Sequence, residues 1–516
     1  MVFSSFLHGC SAPKGPEGQF TLRRALGGEP ATLDPGRTED SFSSSLLIDL
    51  YEGLTSESPS EGVIPGVAES WTLDPSGTEY TFHLRANARW SNGDPVRAQD
   101  FVASWRRVID PKFGSPAAND LRLVARAADI IAGKATPAEL GVSASSDSTL
   151  LVKLERPALY FPQILSHPST YPIYSTRSAT THQPSEWISN GPYILSNWQP
   201  TTRIDLRSNP YYWDRQHVAI SLVQYQFTTS DAAQYASYRA GQLDLTDLVP
   251  ANALPSLRRE HPSELVITPF LATAYLELNL ANRDLSNVSL RRALAMAIDR
   301  KRLVVSLGFG QLPAYGLLPP GTADYTPQSW EWKSLSDEDR IAEAKRLYAR
   351  AGFSHSKVLR LRMLFNTNEV INRTAILIAA MWKETLGVDV ELASEEFKVF
   401  LQTRHDKSRW DVARLAWTAD FNDASSFLDV LRTDSPNNDM SYGSTVYEED
   451  LNKAASSSDP AERRAVLQRA EQTMLKDYPI IPLYFYVSKR LVKPFVHGLV
   501  PTPLNHVATK SLSMDR

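Results

Sequence analysis

The chain has 516 residues, of which 42% are hydrophobic and 22% charged, so it is globular in composition and too long for one core. Its net charge is −4, and basic pairs such as Arg106-Arg107 and Arg291-Arg292 are scattered, which excludes the basic footprint that nucleic acid demands. Cys10 is the one cysteine, the ten histidines are dispersed and no apolar run approaches about 18 residues, which excludes disulfides, cysteine-paired zinc sites and a spanning helix, and no cofactor or metal is expected.

Phe20 to Leu26 alternates as a strand and is broken by Gly27-Gly28-Glu29-Pro30 and Leu33-Asp34-Pro35-Gly36. Ser41 to Leu54 reads as a helix ending at Gly53. Glu79 to Arg85 alternates again, leads into the turn cluster Trp90 to Pro95, and gives way to a helix over Asp100 to Val108 that stops before Asp110-Pro111. A middle zone, about Pro172 to Leu280, holds strands separated by Asn-Gly-Pro and Asn-Pro turns. Leu290 to Leu303 predicts a helix with Leu290, Leu294, Ala297 and Ile298 on one face. Thr374 to Leu386 predicts another, with Gly387 at the favoured position past its end, and Val388, Val390 and Leu392 then alternate. Helix, glycine and strand in succession mark an α/β unit. Ile480 to Val487 reads as an aromatic-rich strand, and no internal repeat is present.

Several segments in order resemble the oligopeptide-binding branch of the extracytoplasmic solute-binding proteins that serve ABC importers. They include Glu29-Pro30-Ala31-Thr32-Leu33-Asp34-Pro35, Tyr51-Glu52-Gly53-Leu54-Thr55 and Trp90-Ser91-Asn92-Gly93-Asp94-Pro95. Gly191-Pro192-Tyr193, Asn209-Pro210-Tyr211-Tyr212-Trp213, Arg292 to Arg300, Trp410 to Arg414 and Leu491 to Phe495 continue the series. Each is weak alone; the ordered set, from about residue 20 to about 500, is specific. Near the start, Leu7-His8-Gly9-Cys10-Ser11 resembles a lipobox, in which the cysteine is acylated, followed by the tether-like Ser11 to Pro16. His8 and the short, uncharged lead-in are atypical, the alternative being a lone cysteine in a polar start.

The resemblance implies an α/β clamp of two lobes joined by two crossing segments, with discontinuous domains and an accessory domain inserted in the first half. Residues 1–18 would be a signal remnant or tether; residues 19–52, 176–278 and 487–516 would form lobe I; residues 53–175 the inserted domain; and residues 279–486 lobe II. It also implies a monomer that traps short peptides outside the cytoplasm, in the periplasm or at the cell surface. The partner would be the permease and ATPase complex of an ABC importer, and the only membrane contact a lipid at Cys10.

A receptor for many peptides must recognise what all peptides share. A fixed carboxylate suits the ammonium, an arginine fork suits the carboxylate, and exposed strand edges suit the backbone. Read alone, Asp420 is an ordinary solvated acid and Arg414 a strand-edge base. By their place in the matching motif they resemble the family's ammonium anchor and its partner for the carboxylate of short ligands. Fully extended, residues 414 to 420 would hold the two about 20 Å apart, whereas a tripeptide spans roughly 10 Å, so a bend after Trp417 is expected. Family matching places strand edges near Glu39 and Ser41 and at Leu415 to Thr418. Trp417, Phe397 and Tyr486 are candidate walls of side-chain pockets, and Arg404 a candidate for an acidic ligand side chain, the alternative being a solvated base.

Two positions that in relatives offer a lysine and a histidine to longer ligands match Leu307 and Ile371, so very short peptides are favoured. A ligand-specific relative for a murein tripeptide is the alternative. A peptide hydrolase finds no support, because Gly308-Phe309-Gly310 lacks a dinucleotide-loop pattern and neither G-x-S-x-G nor H-E-x-x-H occurs.

Overall fold

The structure, a computed structural model, describes residues 21–38, 40–60, 62–174, 184–354 and 356–515. Cys10 and Glu39 lie outside the described residues, so neither expectation is addressed by it.

Three larger sheets organise the chain. The first has four strands and sets Thr21–Leu26 parallel to Leu222–Phe227, with Arg203–Ser208 and Tyr193–Gln199 following antiparallel. The second joins Ala68–Leu73, Glu79–Leu84, Thr149–Lys153 and Val142–Ser146, all antiparallel. The third has six strands, ordered Leu312–Pro313, Ile480–Leu491, Leu265–Leu278, Val412–Thr418, Arg360–Asn366 and Asp389–Glu395.

Two main apolar cores result. One draws on residues 271–484, the other on residues 22–225 together with Leu245 and the C-terminal Val492, Val496, Val507, Leu512 and Met514. The two four-stranded sheets share the second core, because Leu22 and Val223 belong to the same buried cluster as Phe82 and Val152. Leu265–Leu278 and Ile480–Leu491 run between the cores as an antiparallel pair whose register slips between Pro269 and Thr273. On one side Leu265 faces Leu491; on the other Ala274 and Tyr484 are buried in the larger core. The slip interrupts the hydrogen-bond ladder, which locally loosens the strands where the two halves of the molecule meet.

The predicted elements mostly occur, with boundaries moved by capping. The helix expected over Ser41 to Leu54 is Ser41–Leu50. It starts where the Asp40 carboxylate accepts the Phe42 and Ser43 N–H groups at 3.0 and 2.8 Å. It ends early because Gly191 N–H donates to Leu50 O at 2.9 Å and the Asn190 amide clamps Glu52. A side chain at Gly191 would meet the Leu50 backbone at 2.5 Å, which explains glycine there. The single helix expected over Leu290 to Leu303 is two, Val288–Met296 and Arg300–Leu307, because Asp299 caps the second by accepting Arg302 N–H at 2.9 Å. The helix ending before Gly387 begins earlier than expected, at Glu369, where Asn368 caps it, and Gly387 is left-handed at φ 77. Asp389–Glu395 then pairs parallel with Arg360–Asn366, completing the α/β unit.

Two buried acids give this fold a pH signature. Glu471 is fully buried and accepts from Tyr325 Oη at 2.8 Å and Gln328 N–H at 2.9 Å, and burial pushes its pKa up to about 7. Glu277, also fully buried, is pushed up to about 8 by burial. An acid protonated in the fold but ionised when unfolded stabilises fully below its unfolded pKa, and this is lost as pH rises through the folded value. Thermal stability is therefore expected to fall between about pH 5 and pH 8, with Glu471 contributing about 3 kcal/mol. Glu471→Gln should flatten the decline in melting temperature across that window; an unchanged slope would refute the assignment.

Candidate functional site

A cavity of about 1060 Å³ opens between the two halves of the chain. Its wall from the first half includes Asp40, Ser41, Asp120, Tyr160 and His167, and its wall from the second half Asp420, Phe421 and Arg432. That volume exceeds the usual size of a drug-sized site and leaves room for a short peptide with water.

Val412–Thr418 brings the predicted anchor to this cavity. The strand pairs with Leu265–Leu278, and Ala419 N–H still donates to Leu271 O at 2.8 Å. The chain then leaves the sheet at Asp420, so the bend falls slightly later than expected. Asp420 is exposed to the cavity, and its N–H donates to Ser426 Oγ at 3.0 Å. The indole of Trp417 donates to Ser426 O at 2.7 Å. Ser426 thereby ties both the anchor and its neighbouring aromatic to the helix Ser425–Leu428. Trp417 and Leu415 are half-buried, and Thr418 points to solvent.

Desolvation in the cleft raises the Asp420 pKa, the Asp120 carboxylate raises it further, and His167 counters them. Asp120 is itself committed to its own side of the cleft. Ser169 Oγ donates to it at 2.6 Å and the His167 ring lies 3.4 Å away. Burial opposes its ionisation, but the His167 and Ser169 contacts outweigh that and hold it below the ordinary carboxylate range. Asp420 is thus a carboxylate short of positive charge. Where the two halves meet, Tyr160 stacks on Phe421 with centroids 5.0 Å apart. Asp120, His167, Tyr160 and Ser426 have no signal in the sequence, because only folding brings them to Asp420.

Arg414 is buried on the same strand. Its Nη2 donates to Tyr484 Oη at 2.7 Å and Tyr486 Oη at 2.8 Å, while its buried Nε has no partner. No carboxylate among the described residues pairs with it. Tyr486, half-buried, supports the guanidinium and packs against Phe270. Arg404 is placed differently from the exposed base that sequence allows. It is buried, donates to Asp439 Oδ2 at 2.6 Å and Asn437 O at 3.0 Å, and lies 3.5 Å from Glu277. Its charge is already balanced inside the fold. Phe397 opens the helix Phe397–Arg404 and is 54% exposed. Ser41, at the first turn of its helix, lines the cavity.

Comparison with known proteins agrees with this geometry. The description "Bacterial extracellular solute-binding proteins, family 5 Middle" matches residues 62–439. The periplasmic oligopeptide-binding protein OppA of Salmonella typhimurium is 39% identical over 503 residues, covering 95% of this chain and 92% of that protein. Among solved structures, the unliganded open form of the periplasmic murein tripeptide-binding protein MppA superposes with a TM-score of 0.90 at 32% identity, covering 97% of this chain and 99% of that one. Haemophilus influenzae OppA in complex with the peptide RPPGFSPFR gives 0.74 at 33% identity, covering 96% and 99%. A second structure of Escherichia coli MppA gives 0.77 at the same 32% identity and nearly the same coverage, so the score reflects shape, and this chain is more similar in shape to the open form.

Proposed function

The chain belongs to the bacterial extracellular solute-binding proteins of family 5, and we propose on that premise that it is an extracytoplasmic receptor for short peptides, from di- to pentapeptides, which it delivers to an ABC importer. One observation carries this reading: Asp420, short of positive charge, is presented to a cavity between two halves that stand open. Hinge closure then removes the ammonium and Asp420 together from water, where a charge-assisted hydrogen bond is strongest. Work is done by trapping, and no reacting group is required.

Incubating the protein with a tripeptide library and analysing the bound fraction by mass spectrometry tests this. Intact mixed peptides are expected. One dominant species would favour a ligand-specific receptor, for which the likeness to the murein tripeptide-binding protein speaks, and fragments would indicate a hydrolase.

Arg414 is assigned the carboxylate of the shortest ligands, since it is a buried cation without a carboxylate partner among the described residues. Arg414→Ala is expected to weaken tripeptides by about tenfold or more, as for a lost charge-assisted bond, and pentapeptides less. Equal losses in calorimetry would separate Arg414 from length discrimination.

Leu415 to Thr418 and the Glu39–Ser41 region are assigned to backbone pairing, and Phe397, Trp417 and Tyr486 to side-chain pockets. Lobe I is assigned residues 19–52, 176–278 and 487–516, the inserted domain residues 53–175, and lobe II residues 279–486. The two cores support a division into two halves, with the inserted part packed on lobe I, although Leu271, Ala274, Tyr275, Leu276 and Leu278 are buried in the core of the second half. The protein is assigned to the periplasm or cell surface as a monomer with a lipid on Cys10, on the strength of Leu7-His8-Gly9-Cys10-Ser11. Sensitivity of its processing to globomycin checks the lipid.

A further inference from the structure

The loop that carries Asp420 lies on the seam between the two cores. Ala419 is buried in the larger core, and Phe421, two residues later, packs against the core of the first half. Asp420 stands between them. The first half reaches Phe421 through Tyr160, which is buried and stacks on it with centroids 5.0 Å and planes 5° apart. The Arg463 guanidinium, on the second half's helix Pro460–Asp477, lies 5.1 Å from the centre of the same Tyr160 ring. Arg463 is also forked onto Asp423, donating to its Oδ1 and Oδ2 at 2.7 and 2.8 Å, and both side chains are largely buried.

These contacts fix the loop from both sides. Within the second half it is tied by Asp420 N–H to Ser426 Oγ, by the Asp423–Arg463 fork, and by Ala323 N–H, which donates to Asn422 Oδ1 at 2.8 Å. Tyr160 supplies a tie from the first half, and on that same wall of the cavity stand Asp120 and His167. A parallel pair of rings holds one spacing and one tilt, which a shapeless apolar contact does not. The pair is also close to the hinge. Ala419 N–H donates to Leu271 O, and Leu271 lies between Pro269 and Thr273, where the crossing strands slip register. A rotation about those strands moves nearby contacts least, so the stack persists as the lobes close.

We propose that Tyr160 is a positioning residue for Asp420: through Phe421 it holds the anchor against the wall of Asp120 and His167 before the lobes close, so that the amino end of a peptide docks first. This rests on the peptide-receptor reading above and adds the order in which the two ends of the ligand are engaged. A loop released from Tyr160 presents Asp420 in the docking position for a smaller fraction of the time, and association slows by that fraction. Dissociation starts from the closed complex, where the bound ammonium itself holds Asp420, so its rate stays close to native.

Stopped-flow binding of a tripeptide, followed by tryptophan fluorescence, tests it on the native chain, Tyr160→Phe, Tyr160→Leu and Phe421→Leu, with melting curves to establish that each is folded. The two leucine variants remove the stack from either side, so one folded variant suffices. Each should lower the association rate about tenfold and leave the dissociation rate within about twofold of native. Tyr160→Phe keeps the ring and loses only the Oη that accepts from Arg156 Nη2 at 3.2 Å, and should associate at the native rate. Native association in the folded leucine variants, a loss carried by the dissociation rate, or equal slowing in Tyr160→Phe overturns the positioning role. If the native chain binds no tripeptide, the receptor reading itself fails instead.

Discussion

Asp420→Asn is expected to weaken tripeptide binding by at least two decades in Kd, measured by titration calorimetry near neutral pH. The substitution keeps the shape of the side chain and its tie to Ser426, whose Oγ accepts the residue's own N–H. It removes only the negative charge. In the open structure that charge is exposed to the cavity, and burial together with Asp120 already disfavours it. On closure the ligand ammonium would be buried against a neutral amide, and breaking a buried pair in this way costs about 3–5 kcal/mol. Asp120 is paired with His167, so it does not replace the lost carboxylate without breaking that contact. Near-native affinity would remove Asp420 from the anchoring role while leaving the clamp intact.

Arg300→Ala is expected to destabilise the fold by about 3–5 kcal/mol, read as an earlier thermal transition. Arg300 is completely buried. Its Nε donates to Ala314 O at 2.7 Å and Pro482 O at 2.9 Å, and its Nη1 to Ala295 O at 3.0 Å and Ile298 O at 3.1 Å. The rings of Trp330, Tyr315 and Trp332 lie 5.1, 5.3 and 5.4 Å from the guanidinium carbon. Burial lowers its pKa to about 9, so it stays charged near neutrality. Truncation strands several carbonyls and empties an aromatic cage at once. Arg300→Lys should recover only part of the loss, because one ammonium cannot reach both sets of carbonyls. A melting curve unchanged from the native chain would contradict this role for the side chain.

The two variants differ in how visible they are from sequence. Asp420 was legible because it stands in an ordered series of segments that resemble a known family, and because the recognition problem of a peptide receptor demands a carboxylate. Arg300 was visible only as one base in Arg292 to Arg300; its burial follows from the break between Val288–Met296 and Arg300–Leu307, which periodicity merges into one helix. Arg404 shows the opposite failure. A base in Thr403-Arg404-His405 reads as solvated or ligand-facing until the fold places Asp439 and Glu277 around it.

By itself the sequence determined the class of the molecule, its strand and helix types and the family, and singled out Asp420 as the candidate anchor, since these depend on local pattern and ordered motifs. The tertiary structure decided where charges are satisfied: Arg404 within the core, and Asp420 beside Asp120 and His167. The reason is physical. Whether a charge is balanced depends on what lies within a few ångströms, and here those neighbours come from distant parts of the chain brought together by two crossing strands.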